Sequence, residues 1–118
     1  MKTLVLGASH NPDRYSYQAL IRLQKHQHEV VAIGRKATEV EGILIQEGLP
    51  ELADVDTVTL YLNPTHQAAY YDYIIGLHPR RVIFNPGTEN PAFYTLLASH
   101  GIHVEVACTL VLLTTHQY

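Results

Sequence analysis

The chain has 118 residues, with 8 Lys+Arg against 11 Asp+Glu for a formal charge of −3, and 47% of its positions are hydrophobic while only 16% are charged. That balance excludes a disordered chain, and the length suits one domain over residues 1–118 with one real core. An acidic sum without a long basic run argues against nucleic acid as a partner, no apolar run reaches the roughly 18 residues of a membrane span, and the lone Cys108 leaves no disulfide to form, so a soluble, cytoplasmic protein with no membrane partner is expected.

Five short β-rich runs are predicted as strands: Thr3 to Leu6, Glu29 to Ile33, Thr57 to Leu62, Arg81 to Phe84 and Ile102 to Val106. Helical spacing separates most of them, so the pattern predicts βαβ units, an α/β chain with a parallel sheet. After the first run comes Gly7-Ala8-Ser9-His10-Asn11-Pro12-Asp13-Arg14-Tyr15-Ser16. Gly7 permits close backbone approach, Ser9 and Ser16 bring hydroxyls, and the next helix offers free N–H groups to an anion, with His10 inside the same loop. Ser9 and Pro12 stand where a dinucleotide fingerprint needs glycines. Arg14 opposes the dipole of the helix that it precedes, which makes sense if it meets a bound anion; the alternative is a solvated pair with Asp13.

The helical spacing of Tyr17, Leu20, Ile21 and Leu23 leads to the second strand, which ends in Ile33-Gly34-Arg35-Lys36. An NAD site would place an acid near there; two cations suit a ribose phosphate instead, and charge alone does not choose between NADP and coenzyme A. The alternative is an exposed basic turn that balances the acids between Glu39 and Asp56. Within that acidic stretch, Glu41 to Ile45 is expected to be a small extended segment and Leu49 to Leu52 one helical turn.

All four asparagines of the chain precede proline. Asn at an N-cap followed by Pro at the first helical position is favourable cap chemistry, so Asn63-Pro64 and Asn90-Pro91 read as helix starts, and Asn11-Pro12 and Asn85-Pro86 as turns after strands. The carboxyl edge of a parallel sheet, where such turns gather, is also where open α/β folds bind ligands. Tyr70-Tyr71-Asp72-Tyr73 is a candidate face for a homodimer, with ordinary helix packing as the alternative. The eight histidines lack zinc-ligand spacing, and Cys108 sits in an apolar setting that quiets a thiol.

Gly7-Ala8-Ser9 with Arg14 to Tyr17, Val58 to Pro64, Val82 to Asn90 and Ala107 to Val111 together resemble the small, single-domain CoA-binding proteins, stand-alone Rossmann-like relatives of the CoA-binding domain of succinyl-CoA synthetase. The resemblance runs essentially from end to end. It implies a Rossmann-like three-layer αβα sandwich around a five-stranded parallel sheet, with a site for coenzyme A at its carboxyl edge. There Gly7, Ala8 and Ser9 with Arg14, Tyr15 and Ser16 would hold the pyrophosphate, and His10 stands in the same loop. Ile33, Gly34, Arg35 and Lys36 would border the adenine and its ribose phosphate, and Asn63, Pro64, Gly87, Thr88, Glu89 and Asn90 would line the pantetheine arm. The chain departs from the family pattern at Ile33 to Lys36, where a proline-containing segment is usual; the added cations suit a phosphate. The function expected is binding of coenzyme A or an acyl-CoA as a carrier, sensor or subunit without an evident catalytic set. The alternative is an NADP-binding or acyl-CoA-processing enzyme that draws on His10, Glu89 or Cys108.

Overall fold

The computed structural model describes residues 1–118. In chain order it contains β1 (Lys2–Ala8), α1 (Tyr15–Lys25), β2 (Glu29–Gly34), β3 (Thr38–Val40), β4 (Ile43–Gln46) and β5 (Val55–Leu60). There follow α2 (Pro64–Gln67), a 3-10 turn (Ala68–Tyr70), α3 (Tyr71–Leu77), β6 (Arg81–Phe84), α4 (Pro91–Ser99), β7 (His103–Val106) and α5 (Thr109–Thr114). The strands form one sheet in the order β3-β4-β2-β1-β5-β6-β7, parallel throughout except for the antiparallel β3–β4 pair.

The sheet therefore has seven strands, not five. Both additional strands lie in the second connection, where Glu41 and Gly42 take positive φ values of 49° and 82° and turn a short hairpin. Ile43 and Ile45 point into the core while Leu44 between them is exposed, so a continuous apolar run hides an alternating strand. The helical turn expected at Leu49 to Leu52 does not form: this stretch carries no regular structure, Leu52 packs on the core, and the Pro50 carbonyl accepts a bond from the Tyr73 hydroxyl.

β1 runs through the middle because its residues are buried on both faces: Leu4, Val5 and Leu6 are inaccessible, as a central parallel strand requires. Leu4 and Leu6 point to the α3/α4 side with Ile74, Phe84, Phe93 and Leu97, whereas Val5 faces Leu20 and Leu23 of α1 and Leu113 of α5. Two apolar cores thus sandwich the sheet between helices. Asn63 and Asn90 cap α2 and α4, each side-chain oxygen accepting a backbone N–H three residues on, with Pro at the first helical position. No helix is long and apolar enough to cross a membrane.

The amino edge of the sheet is closed by charge pairs. Lys2 meets Glu29 at 3.5 Å, Arg80 meets Asp56 at 3.0 Å, and Arg81 meets Glu105 at 3.0 Å. Arg81 is 5% exposed, donates to the Thr57 hydroxyl, and lies under the ring of Tyr118, whose hydroxyl hydrogen-bonds Thr3.

Candidate functional site

The loop after β1 is held by its own side chains. Ser9 Oγ accepts the Asn11 N–H, Asn11 Oδ1 accepts the Asp13 N–H and the Asn11 carbonyl accepts the Arg14 N–H, all at 3.0 Å. This turn delivers Arg14 as the N-cap of α1 with extended backbone, no side-chain cap and no acid in the first turn. The helix start keeps free N–H groups and a positive potential. Ser16 is buried just inside it.

Glycines let the two strand ends converge. The β1–β2 register shifts between Leu6 and Ala8, around Gly7 at φ +93°. A Cβ on Gly7 would lie 3.0 Å from the Tyr61 backbone, and one on Gly34 only 2.3 Å from the Ala8 carbonyl oxygen. Neither position accepts a side chain without moving backbone.

Beyond these ends lies a cleft of about 560 Å³, a size ordinary for small-molecule sites. Gly7, Ala8, Ser9 and His10 line it from the first loop, Arg14, Tyr15 and Ser16 from α1, and Ile33, Gly34, Arg35 and Lys36 from the end of β2. Asn63 joins from the loop after β5, and Gly87 and Thr88 from the loop after β6. Three residues expected in the site do not line it. Pro64 occupies the first helical position of α2, the Glu89 carboxylate accepts the Gly87 N–H, and the Asn90 amide is turned inward onto Gln67 and Tyr71.

Five lining residues were not foreseen: Tyr61, Leu62, His66, Tyr70 and Pro86. His66 and Tyr70 follow Asn63 at helical spacing on one face, a signal the sequence carried. Tyr61 carries a buried hydroxyl without a partner, and its pKa is pushed up to about 12, first by burial and then by the neighbouring Cys108. The phenol is therefore neutral near pH 7. Cys108 itself is half-buried at the N-cap of α5 and does not line the cleft.

The electrostatics are one-sided. Arg14, Arg35 and Lys36 are exposed at the cleft, and none has a carboxylate within 4.0 Å; Arg14 does not pair with Asp13, nor Arg35 and Lys36 with the acids that follow. Three free cations, an uncapped helix start and side-chain-free glycine turns give this end of the cleft a positive potential with open backbone, chemistry that suits a polyanion. The tyrosine segment is largely used within the chain. Tyr71 stacks on Phe93 at 4.1 Å, Tyr73 bonds Pro50, and Tyr70 lines the cleft.

An open, mostly parallel sheet with its cleft at the carboxyl edge defines a Rossmann-like α/β protein. Residues 1–114 match the family model of the CoA binding domain, and the chain belongs to that family. A solved structure of an uncharacterized protein superposes with a TM-score of 0.96 at 48% identity, covering 99% of this chain and 97% of its own. A Thermus thermophilus protein gives 0.86 at 21% identity, covering 99% and 90%. A hypothetical protein from Pyrococcus horikoshii gives 0.82 at 23%, covering 92% and 78%. These last two share the fold. No curated protein matches the chain.

Proposed function

We propose that this protein binds coenzyme A, free or as an acyl thioester, along the carboxyl-edge cleft, and serves as a carrier, sensor or subunit. The observation that carries this reading is the set of three cations, Arg14, Arg35 and Lys36, that line one cleft without a carboxylate partner. Neither Arg35 nor Lys36 is neutralised within the chain, so both remain available to an anion. A ribose phosphate supplies that anion, and a pyrophosphate suits Arg14, Ser9, Ser16 and the start of α1. The lining at Asn63, Gly87 and Thr88 is uncharged and suits the amide-bearing pantetheine arm. Membership in the CoA binding domain family favours coenzyme A over NADP, whose 2′-phosphate would meet the same two cations.

The cleft fits such a ligand on its own terms. Gly7 and Gly34 keep the floor free of side chains, so a phosphate can approach the backbone closely. When bound, the cofactor would supply a thiol for acyl transfer; the chain would supply the grip on its phosphates.

Thermal shift with CoA, 3′-dephospho-CoA, NADP and NAD tests the reading. At a hundredfold excess over Kd a ligand contributes about 2.7 kcal/mol, on the order of 10 °C in Tm for a domain of this size. CoA is expected to stabilise most, and Arg35→Ala with Lys36→Ala to remove its advantage over the dephospho form. Stabilisation by NADP without CoA would overturn the proposal in favour of an NADP enzyme.

A further inference from the structure

Two loops wall the far arm of the cleft, one after β5 with Leu62 and Asn63, the other after β6 with Gly87 and Thr88. Strands β5 and β6 pair up to Leu60 and Phe84, so beyond that point no sheet ladder sets the gap between the loops. One side chain spans it. Gln67 is completely buried, and its Nε2 donates to the Leu62 carbonyl at 2.8 Å and to the Thr88 carbonyl at 2.7 Å. Both amide protons are used, one on each loop.

The other end of this amide is held as firmly. Gln67 Oε1 accepts from Asn90 Nδ2 at 3.0 Å, and Asn90 Nδ2 also donates to the Tyr71 hydroxyl at 2.7 Å, while Asn90 Oδ1 caps α4. On the far side, Asn85 clamps the base of the β6 loop. Its carbonyl accepts both the Thr88 hydroxyl and the Thr88 N–H, and its side chain ties Thr59, Leu60 and Thr109 together. Each of these amides is at most 7% exposed, and none lines the cleft. A buried polar network of this kind is held in one arrangement because a partner lost leaves a desolvated group unmatched.

We infer that Gln67 is a positioning residue that sets the separation of the Leu62–Asn63 and Gly87–Thr88 walls, and thereby selects for the pantetheine arm of the ligand without touching it. The inference rests on the coenzyme A reading and adds a determinant to the same site. The phosphate-binding end, built on Gly7, Arg14, Arg35 and Lys36, shares no hydrogen bond with Gln67. The two ends of the ligand should therefore respond separately.

Calorimetric affinities for CoA and for adenosine 3′,5′-bisphosphate, measured on wild type, Gln67→Leu and Asn90→Asp at a temperature where each is folded, test the inference. Asn90→Asp keeps the α4 cap and removes the donor to Gln67, so it reports even where Gln67→Leu fails to fold. The expected result is a CoA affinity lowered by about tenfold in Gln67→Leu and less in Asn90→Asp, with the bisphosphate within about twofold of wild type. A purely structural role would lower Tm and leave the ratio of the two affinities unchanged. An unchanged ratio in the folded variants overturns the inference and leaves the coenzyme A reading standing. Wild type that binds neither ligand overturns both.

Discussion

The two edges of the sheet use cations in opposite ways. At the amino edge Lys2, Arg80 and Arg81 each have a carboxylate partner, and Arg81 is also roofed by the Tyr118 ring at 4.4 Å. At the carboxyl edge Arg14, Arg35 and Lys36 stand around the cleft with none. Charge at the first edge is matched inside the chain and so belongs to the fold; charge at the second is unmatched by the chain, as the proposed ligand site requires. The net sum of −3 hides this division.

The largest effect expected from breaking the contrast is at Arg81. Arg81→Leu removes at once the bonds to Glu105 and Thr57 and the cation under the Tyr118 ring, and should cost about 3 kcal/mol in urea unfolding, the sum of two charge-assisted hydrogen bonds and a cation–π contact. CoA affinity of the folded variant should stay near the wild-type value, because nothing at this edge lines the cleft. A large loss of affinity at full folding would break the division of labour between the edges.

Next comes Gly34→Ala, which tests what holds the carboxyl edge in the absence of ion pairs. A Cβ there meets the Ala8 carbonyl oxygen, so the two strand ends must separate, at about 1 to 3 kcal/mol. Unlike Arg81→Leu, it should lower both Tm and CoA affinity. Retention of full affinity would mean that strand convergence is not what shapes the cleft.

The smallest effect is a pH dependence confined to the amino edge. The Arg80 guanidinium, hydrogen-bonded to Asp56, holds that carboxyl below its usual value, with burial opposing. A depressed folded pKa contributes stability that is present above the unfolded value of 3.8 and lost as pH falls through the folded one. Arg80 is 55% exposed on its side chain, so solvent limits the effect to about 0.5 kcal/mol. Arg80→Ala should flatten the acid limb of the stability curve by that amount, whereas Arg35→Ala with Lys36→Ala should leave the acid limb unaltered.

Local chemistry was legible. The caps at Asn63 and Asn90 follow from side chains that bond a backbone N–H three residues away, and most of β1, β2 and β6 follow from apolar runs bounded by turn residues. The extended segment expected within Glu41 to Ile45 is largely β4, but its place in the sheet was not legible, because a Glu-Gly turn is a weak hairpin signal and β4 is held by β3 on one side and by β2, through Ala32 with Ile45, on the other. Likewise the glycine and cation positions of the cleft could be read from the turns after the first two strands. The inward rotation of Asn90 and the burial of Gln67 could not, since an amide on a helix or cap is ordinarily exposed.

By itself, then, the sequence determined the elements whose causes lie within a few residues: a strand, a cap, a glycine turn, a cation at a strand end. Only the tertiary structure decided that seven strands share one sheet, that Arg81 faces inward while Arg35 stays free, and that Gln67 joins two loops. Those outcomes depend on groups from different elements meeting in space, such as Arg81 with Glu105 and Gln67 with Thr88, where burial turns an unmatched polar group into a cost that local propensity does not record.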